Sequence, residues 1–264
     1  MVRRRVLVTA PSPTRIFERA ADEGERRLDQ PMLELVATSF IAGFTIVFGI
    51  AALGIAHSAV DDAFGQVASL AGAVAFGVGL VLPVIGRVEL FNENFFDPAA
   101  AAVRSDEGWL VGPQLRLWTV TLLVNLVGGT LLVGLFSIEG ALPPGAGESL
   151  VTTSEEIAHL DLPARLASAI AGGALVALLS HLLATVEASG SRITVTYLVG
   201  FLLALGPFDH VVVTGLHVLL GMGHGAAITI GRWVAVVGVA TVGNVVGGLG
   251  LVTVSHVAQA KGAA

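Results

Sequence analysis

Long apolar segments alternate with short polar ones along this chain, and most are about 20 residues long, the length that a helix needs to cross a bilayer. The predicted apolar spans are Leu33–Ala56, Phe64–Ile85, Trp109–Phe136, Leu162–Val186 and Ala226–Val257. A further apolar run, Ile193 to Met222, has an interruption near its centre. The pattern therefore predicts an all-α membrane protein with six transmembrane helices.

The interruption in the fifth span is the sequence LGPFDH at positions 205–210. Proline lacks a backbone N–H and clashes with the preceding helical turn, so the span is predicted to break into Ile193–Gly206 and His210–Met222. Burying a charge at membrane depth is costly, and an ionisable residue there indicates a functional site. Asp209 and His210 are therefore candidate site residues.

The second span ends in a similar way. Polar residues 86–94 separate Phe64–Ile85 from a short apolar segment, Phe95–Val103, and Glu89 lies within that break. We therefore predict that the second and fifth spans are both broken helices, each with a carboxylate at its break.

The composition also favours a membrane location, since 54% of the residues are hydrophobic, 13% are charged and the mean hydropathy is +0.83. Soluble domains carry about 25% charged residues. The absence of cysteine excludes disulfides and cysteine-ligated metals. The net charge of −6 argues against nucleic acid as a partner, and no cofactor or metal is expected.

The predicted organisation is an N-terminal arm (residues 1–31), a transmembrane domain (32–258) and a short tail (259–264). The arm can form a helix from Pro13 to Leu28, whereas residues 57–63 and the acidic segment 137–161 are expected to be loops. The arm carries seven arginines, and most other basic residues fall on the same side of the predicted spans. The positive-inside bias then places both termini in the cytoplasm of a multi-pass plasma (inner) membrane protein.

Three pairs of short motifs recur in the same order. Asn125 begins NLVGG and Asn244 begins NVVGG 119 positions later; Glu89 and Asp209 lie 120 positions apart at the two breaks; and IAG occurs at 41–43 and at 170–172. A three-helix unit used twice has its copies in opposite orientations, because each unit crosses the membrane an odd number of times. We therefore predict an inverted 3+3 repeat, with repeat one at about 33–136 and repeat two at about 162–257, and broken helices of this kind indicate a transporter's binding site.

These motifs together resemble the formate/nitrite transporter family. The resemblance rests on FGVGL at 76–80, on Glu89-Leu-Phe, on Phe208-Asp-His and on the two asparagine motifs, and it covers roughly Leu33 to Val257. It implies a homopentamer of aquaporin-like protomers, each with a pore for small monovalent anions such as formate or nitrite.

The resemblance also implies roles for individual residues. His210 corresponds to the family's central pore histidine, and the apolar constrictions correspond to Phe76 with Leu203 on the outer side and to Leu80, Leu90 and Phe91 on the inner side. Three positions depart from the family pattern: Asn92 replaces a threonine, Leu203 a phenylalanine and Asp209 a glutamate. The family's lysine near the start of the fourth span is missing, with Arg165 the nearest candidate, so the chain resembles a divergent branch.

Simple physics supports passage of a weak acid. Ions cross a dry apolar constriction only at high cost, whereas the neutral acid crosses far more easily. The N-terminal N–H groups of half-helices at Asn92 and His210 can attract the anion. The substrate can then gain a proton from His210 or from water.

Several polar residues are expected to have structural roles. We expect Asn125 and Asn244 to tie broken-helix backbone to its neighbours, and Glu89 and Asp209 to accept backbone N–H bonds at the breaks. His217 lies two turns beyond His210 and either extends the pore or makes an interhelical contact. Glu93 and Asp97, on one helical face, are expected in a solvated cytoplasmic vestibule, with a cation-attracting ring as the alternative.

Other functions remain as alternatives. A pore for a small neutral solute or a cation is favoured by Glu93, Asp97 and the missing lysine. An intramembrane metal enzyme lacks the required histidine spacing; its ligands would come from His181, His210, His217, Glu89 and Glu93. A pore-like protein retained for another membrane task, without anion transport, is a further alternative.

Overall fold

A computed structural model describes residues 11–65, 67–106 and 108–263, and all regular secondary structure in these ranges is helical. The helices are α1 (Pro13–Leu28), α2 (Met32–Phe64), α3 (Val67–Ile85), α4 (Phe96–Arg104), α5 (Val111–Phe136), α6 (Ala146–His159), α7 (Leu162–Thr185), α8 (Ser189–Leu205), α9 (Val211–Gly223), α10 (Ile230–Val245) and α11 (Val254–Gly262). A 3-10 helix, Phe91–Asn94, precedes α4, and a π-helix, Val246–Thr253, joins α10 to α11.

Within the described residues, five helical segments are long and apolar enough to cross a membrane, which supports a membrane location. They are Met32–Asp61, Val67–Ile85, Val111–Phe136, Leu162–Thr185 and Ile230–Gly262. All five coincide with predicted spans. The helices α8 and α9 are also apolar but shorter, and neither reaches that length alone.

Helical structure is interrupted where the sequence predicted breaks. After α3 ends at Ile85, residues 86–90 are not helical, and the 3-10 helix then leads into α4. Residues 206–210 separate α8 from α9 in the same manner. Arg87, just after α3, adopts the left-handed backbone conformation with φ 53°.

Two predicted loops contain helix instead. Residues 57–63 continue α2, which runs to Phe64 and ends at Gly65 with φ +48°. No glycine or proline lies between Gly54 and Gly65, so nothing in the sequence stops the helix earlier. The acidic segment 137–161 contains α6, which follows the Pro-Pro-Gly at 143–145 and buries Leu150 against the core. The helix was not predicted because the polar composition of this segment hides the few apolar residues that α6 buries.

Helix pairs in the two halves cross at glycines in equivalent motifs. A Cβ atom at Gly128 of α5 would lie 2.4 Å from the carbonyl oxygen of Phe40 in α2. A Cβ at Gly247, after α10, would lie 1.9 Å from the carbonyl oxygen of Ile170 in α7. Both crossings therefore need glycine, because the backbones touch where a side chain would stand.

The N-terminal arm packs against the helical domain. Its helix α1 has the predicted bounds and begins at Ser12, whose Oγ accepts the N–H of Arg15 at 3.3 Å. Phe17 is buried against Phe96 of α4 and Ala260 of α11. A Cβ at Gly24 would lie 2.0 Å from the carbonyl oxygen of Asp97, so the arm touches α4 backbone to backbone.

Candidate functional site

Asn125 holds the first break through its side-chain amide. Its Oδ1 accepts the N–H of Phe91 at 3.0 Å, and its Nδ2 donates to the carbonyl oxygens of Glu89 at 2.9 Å and Ser39 at 2.7 Å. Backbone groups freed by a broken helix need partners in an apolar interior. Asn125 supplies them on both sides of Leu90.

Asn244 does the same at the second break. Its Oδ1 accepts the N–H of Val211 at 2.8 Å, and its Nδ2 donates to the carbonyl oxygens of Asp209 at 2.6 Å and Ala169 at 2.7 Å. The bonds enclose His210, just as those of Asn125 enclose Leu90. Each asparagine thus binds backbone groups on both sides of one residue at an interruption.

A side-chain hydrogen bond links the two breaks. The Nδ2 of Asn92 donates to the Oδ1 of Asn244 at 2.7 Å, and both residues are completely buried. The same Oδ1 of Asn244 accepts the N–H of Val211 at the start of α9, so Asn92 and α9 are bound to one oxygen atom. The two interruptions therefore meet inside the protein.

His210 is the N-cap of α9 and is completely buried. Its Nδ1 accepts the N–H of Val213 at 3.4 Å, while Nε2 has no hydrogen-bond partner among the described residues. A buried polar atom without a partner calls for an explanation, and a transient ligand is one. The remaining predicted pore residues, Phe76, Leu80, Leu90, Phe91 and Leu203, are buried in the main apolar core.

A cavity of about 540 Å³ lies between the arm and the first break. Five arginines and five carboxylates line it: Arg19, Arg26, Arg27, Arg87, Arg192, Glu23, Glu89, Glu93, Asp97 and Glu187. Below, it is called the arginine cavity. Glu93 and Asp97 are buried in its wall, so the expectation of a solvated vestibule is wrong for their side chains. Helix α1 covers them.

Side chains of the arm bind the first break directly. Arg27 donates to the carbonyl oxygen of Glu93 at 2.9 Å and to Oδ1 of Asn94 at 2.8 Å. Its guanidinium lies 3.7 Å from the carboxylate of Glu89 and 3.6 Å from that of Asp97. One buried cation thus offsets two buried carboxylates, which burial would otherwise make costly.

Glu89 binds side chains and not the backbone groups we expected. Its Oε1 accepts hydrogen bonds from Arg26 and Gln30, both at 3.0 Å. The prediction of a backbone-capping role for Glu89 is therefore wrong, because the arm supplies stronger charged donors. The clustering of Glu89, Glu93 and Asp97 was the signal in the sequence, because three acids at and just after one break require cations from elsewhere.

Glu23 organises the arginines of the arm. Burial alone opposes ionisation of this carboxyl, but hydrogen bonds and charge from Arg26 and Arg27 outweigh it and lower the pKa of Glu23 to about 2. Glu23 lies 2.6 Å from Arg26 and 3.3 Å from Arg27, so it holds both guanidinium groups in place beside Glu89.

A second cavity, of about 280 Å³, lies beside the other break. Phe76, Leu203, Asp209 and His217 line it, together with the polar residues Thr153, Glu156, Ser168 and Thr214 and further apolar residues. Among the described residues, no lysine or arginine lines this cavity. Below, it is called the carboxylate cavity. Nε2 of His217 and Oδ2 of Asp209 are buried and have no hydrogen-bond partner in the described part of the chain.

Asp209 differs from its predicted role. Its Oδ1 faces the hydroxyl of Thr214 at 3.5 Å, and it is its backbone N–H that is bound, donating to Oγ of Ser168 at 3.0 Å. The expectation that its carboxylate accepts backbone N–H groups is therefore wrong. Arg165, the nearest candidate for the family's lysine, donates to the carbonyl oxygens of Ala158 and Leu160 and does not line the cavity.

The two cavities lie at opposite ends of the same helices. Ser180 of α7 lines the arginine cavity and Ser168 of α7 the carboxylate cavity, about 18 Å apart at the rise of an α-helix. His210, Leu80, Phe91 and Asn92 line neither, and all are buried. A buried section containing these residues therefore separates the cavities.

The histidines considered as metal ligands are dispersed. His181 stacks on His256 with ring centroids 3.7 Å apart, whereas His217 lines the carboxylate cavity. Within the described ranges, no group of three or more histidine, aspartate or glutamate side chains could hold a metal ion.

Apolar spanning helices, interrupted helical backbone and opposed cavities define a polytopic membrane protein. The chain belongs to the formate/nitrite transporter family, whose model matches residues 14–258. The match includes α1, both breaks and both asparagine anchors.

Two curated relatives are similar to the chain at low identity. Inner membrane protein YfdC of Escherichia coli strain K12 is 24% identical over 204 residues, which is 77% of this chain and 64% of that protein. The chain thus spans less than two thirds of that relative's length. Uncharacterized transporter YrhG of Bacillus subtilis strain 168 is 25% identical over 240 residues, covering 89% of this chain and 88% of that protein.

Solved structures share the fold. One described as an FNT family ion channel superposes with a TM-score of 0.82 at 18% identity, covering 93% of this chain and 98% of the other. Another, a pentameric formate channel with formate bound, gives a TM-score of 0.57 at 20% identity over 91% and 94% of the two chains. At these identities, the likeness concerns the fold alone.

Proposed function

We propose that the protein is a channel for small monovalent weak-acid anions such as formate or nitrite. In this proposal, an anion enters from either cavity, is drawn toward His210 and crosses the apolar sections as the neutral acid or together with a proton. Membership of the formate/nitrite transporter family supports this class of substrate.

The proposed protomer has six spans arranged as an inverted repeat with an aquaporin-like topology. Helices α8 and α9 together form the fifth span, and α3 with α4 forms the second. The equivalent anchors Asn125 and Asn244 and the equivalent glycine crossings support a duplicated unit. Both termini lie in the cytoplasm of the plasma (inner) membrane, in agreement with the arginine-rich arm.

The observation that carries the proposal is the buried section between the two cavities. His210 lies in it with an unpartnered Nε2, and Phe76 and Leu203 border it at the carboxylate cavity. Moving an ion through such a section costs on the order of tens of kcal/mol without compensation, whereas a neutral acid pays far less. An apolar constriction therefore favours passage in the protonated form and excludes bulk ions.

Local dipoles and the imidazole supply the remaining parts. Helix α9 begins at Val211, next to His210, and the positive end of its dipole favours an anion at the centre. His210 can then hydrogen-bond the substrate and exchange a proton with it as the surroundings become apolar. The proposed assembly is a homopentamer embedded in lipid, as in the pentameric formate channel of the same fold.

The test is flux in proteoliposomes. The purified protein is expected to pass formate and nitrite faster than it passes glycerol or ammonium, and faster than protein-free vesicles pass the same anions. His210→Asn should reduce the anion flux at least about tenfold, because it removes a group that exchanges protons. His159→Asn is the matched control, because His159 is exposed at the end of α6.

Selective passage of glycerol or ammonium would favour the alternative pore for a neutral solute or a cation. Anion flux that is unchanged in His210→Asn would contradict the role of the histidine.

A further inference from the structure

A buried carboxylate without a cation lies at the second break. Asp209 is only 6% exposed, and no salt bridge to it is present in the described ranges. Its Oδ1 faces the hydroxyl of Thr214 at 3.5 Å, and its Oδ2 has no hydrogen-bond partner among the described residues. A buried carboxylate is costly unless charge and hydrogen bonds offset it. A partner for Asp209 therefore has to come from elsewhere.

Two arginines at this end of the protein are bound to backbone instead. Arg165 donates to the carbonyl oxygens of Ala158 at 2.7 Å and Leu160 at 3.0 Å, and Arg232 donates to that of Ala158 at 2.6 Å. These carbonyl groups lie at the C-terminal end of α6, where a helix favours positive charge. Neither arginine lines the carboxylate cavity, so neither occupies the space in front of Asp209.

The remaining walls of the carboxylate cavity suit a cation with N–H groups. His217 is 4% exposed, and its buried Nε2 has no hydrogen-bond partner in the part of the chain that the structure describes. A neutral imidazole offers one acceptor nitrogen. Phe76 and Phe208 also line the cavity, and the face of a phenyl ring attracts cations. Glu156 is an exposed carboxylate of the same cavity, and it can attract a cation from solution.

An organic cation fits this cavity better than a metal ion does. A metal ion such as Ca²⁺ needs several oxygen ligands that converge at about 2.3–2.6 Å. Within the described residues, no group of three or more histidine, aspartate or glutamate side chains could hold a metal. An alkylammonium ion instead needs a carboxylate, a few dispersed acceptors and apolar surface, and a cavity of about 280 Å³ supplies all three.

We propose that the carboxylate cavity binds a small alkylammonium cation, with its N–H groups donating to Asp209. The alkyl group packs against the phenylalanine rings, and Glu156 adds negative charge at the exposed side of the cavity. A bound cation also offsets a charge that would repel an anion next to His210. The inference is thus compatible with an anion channel, but it goes beyond that function and does not rest on it.

The experiment measures the unfolding midpoint of the assembled protein, purified in detergent, as methylammonium chloride replaces sodium chloride at constant ionic strength. At about pH 8 the probe is fully charged. A ligand that binds only the folded protein stabilises it, so the midpoint should rise and saturate. Tetramethylammonium chloride is the matched probe, because it has the same charge and no N–H group. Its apparent affinity should be at least about tenfold lower, since it leaves the buried carboxylate without a hydrogen bond.

Three variants locate the site. Asp209→Asn should weaken the apparent affinity for methylammonium at least about tenfold, because it removes the buried charge. Phe208→Leu should weaken it about threefold, as expected for the loss of one cation–π contact. Glu148→Gln is the matched control and should keep the wild-type response, because Glu148 is an exposed carboxylate of α6 outside this cavity.

The outcomes separate this inference from the proposed function. Equal responses to methylammonium, tetramethylammonium and sodium would overturn the inference, and so would an unchanged response in Asp209→Asn. If Asp209→Asn does not assemble, the comparison of the two ammonium probes on the wild-type protein decides alone. Absence of formate and nitrite flux in proteoliposomes would contradict the proposed function and leave the binding of methylammonium standing.

Discussion

The two breaks can be compared bond by bond. At the first, Asn125 binds the carbonyl oxygen of Glu89 and the N–H of Phe91; at the second, Asn244 binds the carbonyl oxygen of Asp209 and the N–H of Val211. The asparagine thus binds the same pair of backbone groups at both breaks. The side chains between these bonds are not, since Leu90 lies at one break and His210 at the other.

Charge separates the breaks further. Glu89 is paired with arginines of the arm beside a cavity rich in cations, whereas Asp209 has no cation lining its cavity in the described part of the chain. Residues that recur at both breaks, the asparagines, thus hold the backbone. Residues that differ between the breaks give each one its own charge and polarity. Four predictions test this division, beginning with the largest expected effect.

If the two glycine crossings are equivalent, substitution of either glycine should prevent assembly. Gly128→Ala and Gly247→Ala each force a methyl group into a backbone carbonyl, at 2.4 Å and 1.9 Å. Both should cost more than about 4 kcal/mol and prevent assembly, as severe overpacking does. Size-exclusion chromatography of the purified protein is the measurement, and Gly134→Ala, with open space at its Cβ, is the control. Assembly of either crossing variant would break the equivalence.

Substitution of either asparagine should destabilise the protein, but by different amounts. Asn125→Ala leaves three hydrogen bonds unmade and Asn244→Ala four, including the bond to Asn92. Each unsatisfied buried group costs about 1–3 kcal/mol, so both should lower the unfolding midpoint, Asn244→Ala the more. Thermal unfolding in detergent measures this. Equal midpoints would mean that the link between the breaks contributes nothing.

The charge difference predicts opposite responses to neutralisation. Arg27→Met leaves Glu89 and Asp97 buried without their cation and should destabilise the protein by about 3–5 kcal/mol, the cost of breaking a buried pair. Asp209→Asn removes a carboxylate that makes no salt bridge among the described residues, and it should be neutral or stabilising. Thermal unfolding compares them, with exposed Arg87→Met as the control. A larger loss in Asp209→Asn would reverse the comparison.

Acid should loosen the arm through Glu23. Because the pKa of this carboxyl is lowered from 4.5 to about 2 in the folded protein, its stabilising contribution is present above about pH 4.5 and is lost as the pH falls through about 2. Hydrogen exchange of α1 should therefore differ between wild type and Glu23→Gln at neutral pH and converge on acidification. A difference that grows with acidity would contradict this sign.

The sequence predicted the parts that depend on local pattern. Apolar length located the five long spans, the Gly206-Pro207 pair located the second break, and spacing paired Asn125 with Asn244. The partners of Glu89 were not predictable in this way, because Arg26 and Gln30 lie about 60 positions away and meet it only when α1 docks. Long-range packing of a polar helix leaves no periodic signal.

Two buried atoms without partners among the described residues, Nε2 of His210 and Oδ1 of Asn92, were likewise not predictable from the sequence. They follow from the orientation of two amides, which depends on contacts between α7, the breaks and α10. A sequence motif can place His210 at a break, but it cannot show which of its nitrogens is occupied.

The role of His210 is tested most directly by formate flux into proteoliposomes for wild type, His210→Asn and His159→Asn, with each protein confirmed to be assembled. We expect rapid flux for the wild type and His159→Asn, and at least about a tenfold loss for His210→Asn. Equal formate flux in all three proteins would contradict the account.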